Sequence, residues 1–189
     1  AMRCLSTAVY QIPNCYVTNE SEPIEWEYES PVVFWAARFE PWKRPEVVAE
    51  LAESLPKITF VMAGGPGEEK IVSTLEKRAA EIKNLHVLGH VPFSEIDRYF
   101  ASADLFLNTS EQEGFPNTFL QAWANETPVV SLQVDPDDIL TDEEIGKVAD
   151  GSLNTLQSQI ESLAADQGQR EKLASKSSTY LENNHTIQT

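Results

Sequence analysis

Glu111-Gln112-Glu113-Gly114-Phe115-Pro116-Asn117-Thr118-Phe119-Leu120-Gln121-Ala122-Trp123-Ala124 is the stretch on which the reading of this chain turns. Before it stands the short apolar run Asp104-Leu105-Phe106-Leu107-Asn108, and after it Pro128-Val129-Val130-Ser131-Leu132. Both runs suit interior strands of a parallel sheet. The stretch between them is therefore a strand-to-helix turn, at the carboxyl end of the strands, where open α/β sheets bind their ligands. Gly114 lets a ligand approach the backbone, and Pro116 has the fixed φ suited to the first helical position. The unpaired amides after it suit a phosphate or sugar oxygens. Phe119, Leu120, Trp123 and Ala124 make one apolar helix face, while Asn117 and Gln121 share the other. Gln121 should lean back toward the helix start, and Glu113 offers an acceptor just ahead of it, so a polyhydroxylated ligand could be bracketed between them.

Toward the N-terminus, Pro31-Val32-Val33-Phe34-Trp35-Ala36-Ala37 reads as the first core strand and runs into Arg38-Phe39-Glu40-Pro41-Trp42-Lys43-Arg44-Pro45. The next helix carries Val47, Val48, Leu51 and Leu55 on its inner face. Arg38 and Lys43 thus flank the first strand-to-helix loop, in the same carboxyl-end crevice as Glu113. Two cations there could hold a diphosphate; solvated loop charges are the alternative, and the fate read for Arg44. Lys57–Ala63 is a second strand, closed by Gly64-Gly65-Pro66-Gly67. Glu68 comes next, so this is neither a P-loop nor a dinucleotide fingerprint, and a tight turn is the default. A helix with Ile71, Leu75, Ala79 and Ile82 inward leads to a third strand, Leu85–Leu88, and to the loop Gly89-His90-Val91-Pro92. A lone loop histidine is usually just exposed, so His90 and Val91 are expected to offer backbone contacts and no proton transfer. Ser94 is expected to cap the next helix with Asp97 in the capping-box position. Asp135-Pro136-Asp137-Asp138 reads as a turn in preference to a metal-binding Asp-x-Asp, and two helical stretches between Leu153 and Leu181 close the pattern.

The chain has 189 residues, 41% of them hydrophobic, enough for one α/β domain built as a Rossmann-like parallel sheet flanked by helices. No apolar run nears the roughly 18 residues of a membrane span, and no signal peptide is visible. A formal charge of −16 with only 14 Lys plus Arg argues against nucleic acid or an anionic membrane as partner. An anionic nucleotide then needs a local basic pocket. Cys4 and Cys15 lack metal-ligand spacing and fit a reducing, cytoplasmic setting.

The motif around Glu113 resembles the signature of retaining glycosyltransferases of family four, the group 1 enzymes, which have the two-domain GT-B fold and a Glu-x7-Glu pattern entering this helix. Here it runs Glu113-x7-Gln121, a departure at the second position that trades a charge-assisted bond for an amide. The resemblance implies that Glu113 contacts the donor sugar and Gln121 the ribose, that the turn of Gly114, Phe115, Pro116 and Asn117 holds donor oxygens by its backbone amides, Pro116 shaping it without an N–H of its own, and that Arg38 and Lys43 help the nucleotide diphosphate depart. Gly65 falls in a similar Gly-Pro loop lining the donor crevice, and Gly89-His90-Val91 resembles a Gly-x-Val loop that meets the base. Ile12-Pro13-Asn14-Cys15-Tyr16-Val17 resembles the segment linking acceptor and donor domains.

The domain organisation implied is a connector with the end of an absent acceptor domain over 1–29, a nucleotide-sugar-binding C-terminal domain over 30–183, and a tail over 184–189. This would be one half of a GT-B enzyme that moves a sugar from a nucleotide diphosphate sugar to a hydroxyl acceptor in bacterial polysaccharide or glycoconjugate synthesis. The donor would be a UDP-sugar or GDP-sugar, with no further cofactor and no metal. The acceptor, a glycan or lipid-linked sugar, and any peripheral membrane contact would belong to the absent domain, leaving this part inactive alone. The alternatives are a non-catalytic sugar-nucleotide sensor and a nucleotide-sugar epimerase on the same scaffold.

Overall fold

The structure, a computed structural model, describes residues 14, 16, 22–29, 31–65 and 67–186. Cys4, Cys15, Pro66 and most of the Ile12–Val17 segment lie outside the described residues. The apolar runs fold as Val32–Arg38 (β1), Thr59–Gly65 (β2), Leu85–Gly89 (β3), Leu105–Asn108 (β4), Val129–Ser131 (β5) and Gly146–Val148 (β6). Between and after them lie Pro45–Ser54 (α1), Glu69–Glu81 (α2), Phe93–Ser102 (α3), Asn117–Ala124 (α4), Ile139–Asp142 (α5), Leu153–Ala165 (α6) and Gln167–Asn184 (α7).

All six strands pair in parallel, in the order β3-β2-β1-β4-β5-β6. Continuous apolar strands form because each face of the sheet is covered by helices. Val33 and Trp35 of β1 pack with Val47, Val48 and Leu51 of α1, Leu75 of α2 and Ile160 of α6. Their neighbours Val32, Phe34 and Ala36 pack on the other side with Phe100 of α3, Phe119 and Trp123 of α4 and Leu181 of α7. A fully buried side chain of this size contributes about 1.5–3 kcal/mol, so β1, buried over Val32–Ala36, anchors both layers at once. The strand order reverses between β1 and β4, and their carboxyl ends open a crevice there.

At the opposite rim, the Arg170 guanidinium donates to the carbonyls of Leu163 and Ala164 at 2.7 and 2.9 Å, satisfying the end of α6, and meets Asp104 Oδ1 at 3.0 Å. Asp104 Oδ2 accepts from the Val32 amide at 2.8 Å, so one carboxylate ties the starts of β1 and β4 to the α6–α7 corner. No helix among the described residues is long and apolar enough to cross a membrane.

Three local expectations are corrected. Ser94 does not cap α3: Pro92 holds that position without a side-chain bond, because its fixed φ and missing amide already start the turn at Phe93. Pro116 stands one place before the first helical residue of α4, extended at ψ 120°. The short pair α5 and β6 adds a sixth strand that was not expected, since three- and four-residue elements are too brief to carry a periodicity.

Close packing at the crevice rim sets a stability contrast. A Cβ on Gly67 would lie 2.1 Å from the Phe39 carbonyl oxygen, which also accepts the Glu68 amide at 2.9 Å, whereas a Cβ on Gly114 meets nothing within 4 Å. Urea unfolding should show Gly67→Ala losing about 1–3 kcal/mol and Gly114→Ala staying within about 0.5 kcal/mol of the parent. A second expectation concerns His86, stacked on Tyr28 at 3.8 Å between ring centroids, where burial holds the imidazole below its usual value. The unfolded chain therefore takes up the proton first as pH falls below about 6.5, and His86 costs stability there. The loss in Tm between pH 7.5 and 5.5, about one unit either side of that value, should be smaller in His86→Phe.

Candidate functional site

The crevice is furnished by the segments that leave β1 and β4. Arg38 closes β1 opposite Gly65 of β2, with 63% of its side chain exposed and Nη1 at 3.9 Å from Glu40 Oε1. An ion pair that long and that exposed is weak, so the guanidinium can swing onto an arriving anion. Pro41 starts a 3-10 turn, Pro41–Lys43, which returns Lys43 toward β4. Its ammonium lies 2.9 Å from Glu113 Oε2 and 4.1 Å from the Trp42 ring centre. Both side chains of the Lys43–Glu113 pair are well shielded, at 13% and 14% exposure.

The end of β4 sets this pair in place. Asn108, 5% exposed, donates from Nδ2 to Glu113 Oε1 at 3.0 Å and accepts the Ser110 amide at 3.0 Å. Each oxygen of the Glu113 carboxylate thus has its own donor. The buried Thr109 hydroxyl donates to the Lys43 carbonyl at 2.6 Å and accepts from Trp35 Nε1 at 2.9 Å. The Glu111 amide donates to the Trp42 carbonyl at 2.8 Å. The two loops are therefore one hydrogen-bonded unit, with Trp35 anchoring it in the core.

Gly65 and His90 stand on the β2–β3 side: a Cβ at Gly65 would lie 3.7 Å from Arg38 Cγ and 4.0 Å from His90 Nδ1. His90 is exposed, while Val91 is partly buried against the α3–α4 layer. In the turn before α4, the Phe115 ring packs edge-on against Trp123 at 6.1 Å, which leaves its backbone as its polar contribution. Pro116 is buried, and Asn117 is exposed, its Oδ1 accepting from Asn14 Nδ2 at 3.3 Å.

Gln121 does not share an open face with Asn117. It is 5% exposed, and its Nε2 donates to Asp97 Oδ1 of α3 at 3.2 Å. Asp97 Oδ2 accepts the Tyr16 hydroxyl at 2.7 Å, and burial, then that carboxylate, push the Tyr16 phenol up. The reason is crowding: α4 is eight residues long, wedged between the sheet, α3 and α7, and buries Phe119 through Trp123 in succession. Asp97, read as part of a helix cap, is the partner of Gln121 instead.

Sequence reasoning gave no place in the site to Asn108, Thr109 or Asp97. The signal for the first two was the switch to Asn108-Thr109-Ser110 straight after an apolar strand; for Asp97 there was none. Asp135, in the Asp-x-Asp turn, accepts the Leu140 amide at 2.7 Å, and the Thr141 amide and hydroxyl at 3.2 and 2.7 Å, opening α5.

Comparison with known proteins finds related chains. Lipopolysaccharide core biosynthesis glycosyltransferase LpsE of Rhizobium meliloti is 31% identical over 154 residues, 78% of this chain and 44% of that protein. The chain thus spans less than half the length of this curated relative. Among solved structures, HepE of Anabaena in complex with UDP superposes with a TM-score of 0.72 at 21% identity, over 82% of this chain and 45% of that one. A variant of TarM from S. aureus, in complex with Fondaparinux, alpha-GlcNAc-glycerol and UDP, does so with 0.77 at 20% identity, over 94% and 36%. The parallel sheet flanked by helices is the Rossmann-like fold of these GT-B structures. The model of the family described as "Glycosyl transferases group 1" matches residues 17–179, nearly all of the described sheet and helices, and the chain belongs to that family.

Proposed function

We propose that this chain is the donor-binding, C-terminal half of a retaining GT-B glycosyltransferase of family four, moving a sugar from a nucleotide diphosphate sugar to a hydroxyl acceptor. The observation that carries the reading is the shielded pair at the carboxyl ends of the strands, the Lys43 ammonium 2.9 Å from the Glu113 carboxylate, with Arg38 closing β1 on the same rim. Such a site has cations for a diphosphate and an acceptor for sugar hydroxyls side by side. Further support comes from the relatives, which are named for glycosyl transfer or solved with UDP.

On this reading the bond between the anomeric carbon and the diphosphate oxygen breaks, its electron pair going to the diphosphate, while the acceptor hydroxyl oxygen bonds to the anomeric carbon from the same face and its proton passes to the departing diphosphate. Arg38 and Lys43 stabilise that growing charge, which is why electrostatics dominates the step and no metal is required. Glu113, aimed by Asn108, accepts from a hydroxyl of the donor sugar. The amides of Gly114, Phe115, Pro116's neighbour Asn117 and the turn hold donor oxygens, while Gly65, His90 and Val91 line the base side. The ribose side of the crevice is backed by Gln121, buried and donating to Asp97 Oδ1 at 3.2 Å, so that a carboxylate stands beside the position that lacks one. The organisation proposed is a connector over 1–29, the donor domain over 30–183 and a tail over 184–189, in a cytoplasmic enzyme of polysaccharide or glycoconjugate synthesis. A glycan or lipid-linked acceptor would be held by an N-terminal domain.

Calorimetric titration with UDP, GDP and ADP tests the donor site. One of the three should bind; Arg38→Ala should weaken it about 10- to 100-fold, the equivalent of losing one or two charge-assisted bonds, and Glu113→Gln should change it less than about threefold. No binding to any of them by a folded chain overturns the reading. The Gln121–Asp97 contact makes a separate prediction. Gln121→Glu sets two carboxylates against each other in a buried place, so it should cost about 1–3 kcal/mol at pH 8 and less near pH 4, where a proton can be shared; equilibrium unfolding at both values checks this.

A further inference from the structure

We propose that a groove at the outer edge of the sheet, between β6, α5 and the α6–α7 pair, is a second binding site, for a small phosphorylated molecule that also carries hydroxyl groups. Its volume is about 340 Å³, at the small end of the range for ligand pockets, which suits a metabolite and no larger partner. In the sheet order, β5 and β6 both lie beyond β4, so the groove is set apart from the strand-end crevice.

The charge of the groove points to an anion. Lys147 of β6 and Lys172 and Lys176 of α7 all line it, three cations from the 14 Lys plus Arg of a chain with net charge −16. Glu144 is the one carboxylate in the lining among the described residues, paired with Lys176 at 2.6 Å. Lys147 and Lys172 make no ion pair within 4.0 Å among the described residues, so the groove keeps an excess of two positive charges. All three lysines bear on one carboxylate: the Lys176 hydrogen bond first, and then the fields of Lys176, Lys172 and Lys147, hold the exposed Glu144 carboxyl below its usual range. A cluster of like charges facing one cavity is unfavourable unless an anion shares it.

An unmet acceptor points to a hydroxyl. Gln159, also in the lining, spends its amide group on the Val148 carbonyl at 2.8 Å, which fixes which way the side chain points. Its Oε1 is buried and has no partner among the described residues. A buried acceptor left unpaired costs free energy, and a ligand hydroxyl that displaces the side chains covering it would satisfy it where a bare oxyanion would not. Two free ammonium groups for a phosphate and one carbonyl oxygen for a hydroxyl describe a sugar phosphate or a polyol phosphate. A glycerol phosphate lipid headgroup has the same chemistry.

The chain should be titrated by calorimetry and two-dimensional NMR with glucose 6-phosphate, with glucose, with inorganic phosphate, and with phosphatidylglycerol vesicles. Glucose 6-phosphate should bind, with amide shifts centred on Lys147, Gln159 and Lys172, and saturating UDP should not displace it. The double variant Lys147→Ala/Lys172→Ala, which removes no ion pair among the described residues, should weaken binding about tenfold or more with an unchanged melting temperature. Gln159→Leu should weaken glucose 6-phosphate and leave inorganic phosphate unaffected. Vesicle binding that is lost in the double variant, without binding of the free compound, assigns the same site to a lipid headgroup. No binding to any phosphate source, binding that survives the double variant, or shifts centred on Arg38 and Lys43 with displacement by UDP overturns the proposal. Neither result depends on whether the crevice binds a nucleotide.

Discussion

A parallel strand covered by helices on both faces has no place for a polar side chain until it ends. β1 obeys this from Val32 to Ala36, every residue in one core layer or the other. Its first charged residue, Arg38, is its last. β4 does the same, with Leu105, Phe106 and Leu107 giving way to Asn108, Thr109 and Ser110. The polar side chains of the candidate crevice are therefore gathered at one rim by the demands of burial, at the order reversal between β1 and β4 where open sheets of this kind bind ligands.

The two rims are held differently. At the amino ends of the strands, Arg170 and Asp104 hold the start of β1 and the end of α6 in a charged clasp. At the carboxyl ends the fastening is finer: the Thr109 hydroxyl links Trp35, buried in the core, to the backbone carbonyl of Lys43. Position in the site is thus inherited from packing beneath it. The Lys43 ammonium and the Glu113 carboxylate meet because their loops are sewn to each other, with their own attraction as a second cause.

The same physics decides how much could be read from the residues. Two-sided burial writes itself as unbroken apolar runs, so β1 to β5 were legible, and helix faces such as Val47, Val48 and Leu51 were legible by their spacing. That Arg38, Lys43 and Glu113 stand at the strand ends of one rim came from placing each after a strand of a parallel sheet, and the structure pairs the last two. Their chemical roles came from resemblance. The short α5–β6 pair was hidden by its brevity, and the cap expected of Ser94 was pre-empted by Pro92. Gln121 was misplaced because its surroundings are made by Asp97 and Tyr16, on other elements of the fold. Helical spacing reports which residues share a side of one helix; it does not report what another helix brings to that side.

The shielded pair of Lys43 and Glu113 has a consequence for how this crevice can evolve. Each charge is about 14% exposed or less, and each is the other's counter-ion. Replacing either alone strands a shielded charge opposite a neutral group, a costlier change than replacing both together. Two positions far apart in the chain, one after β1 and one after β4, are therefore bound to change in step, and the route from this crevice to a differently charged one runs through a double substitution or through a partner arriving from the ligand itself.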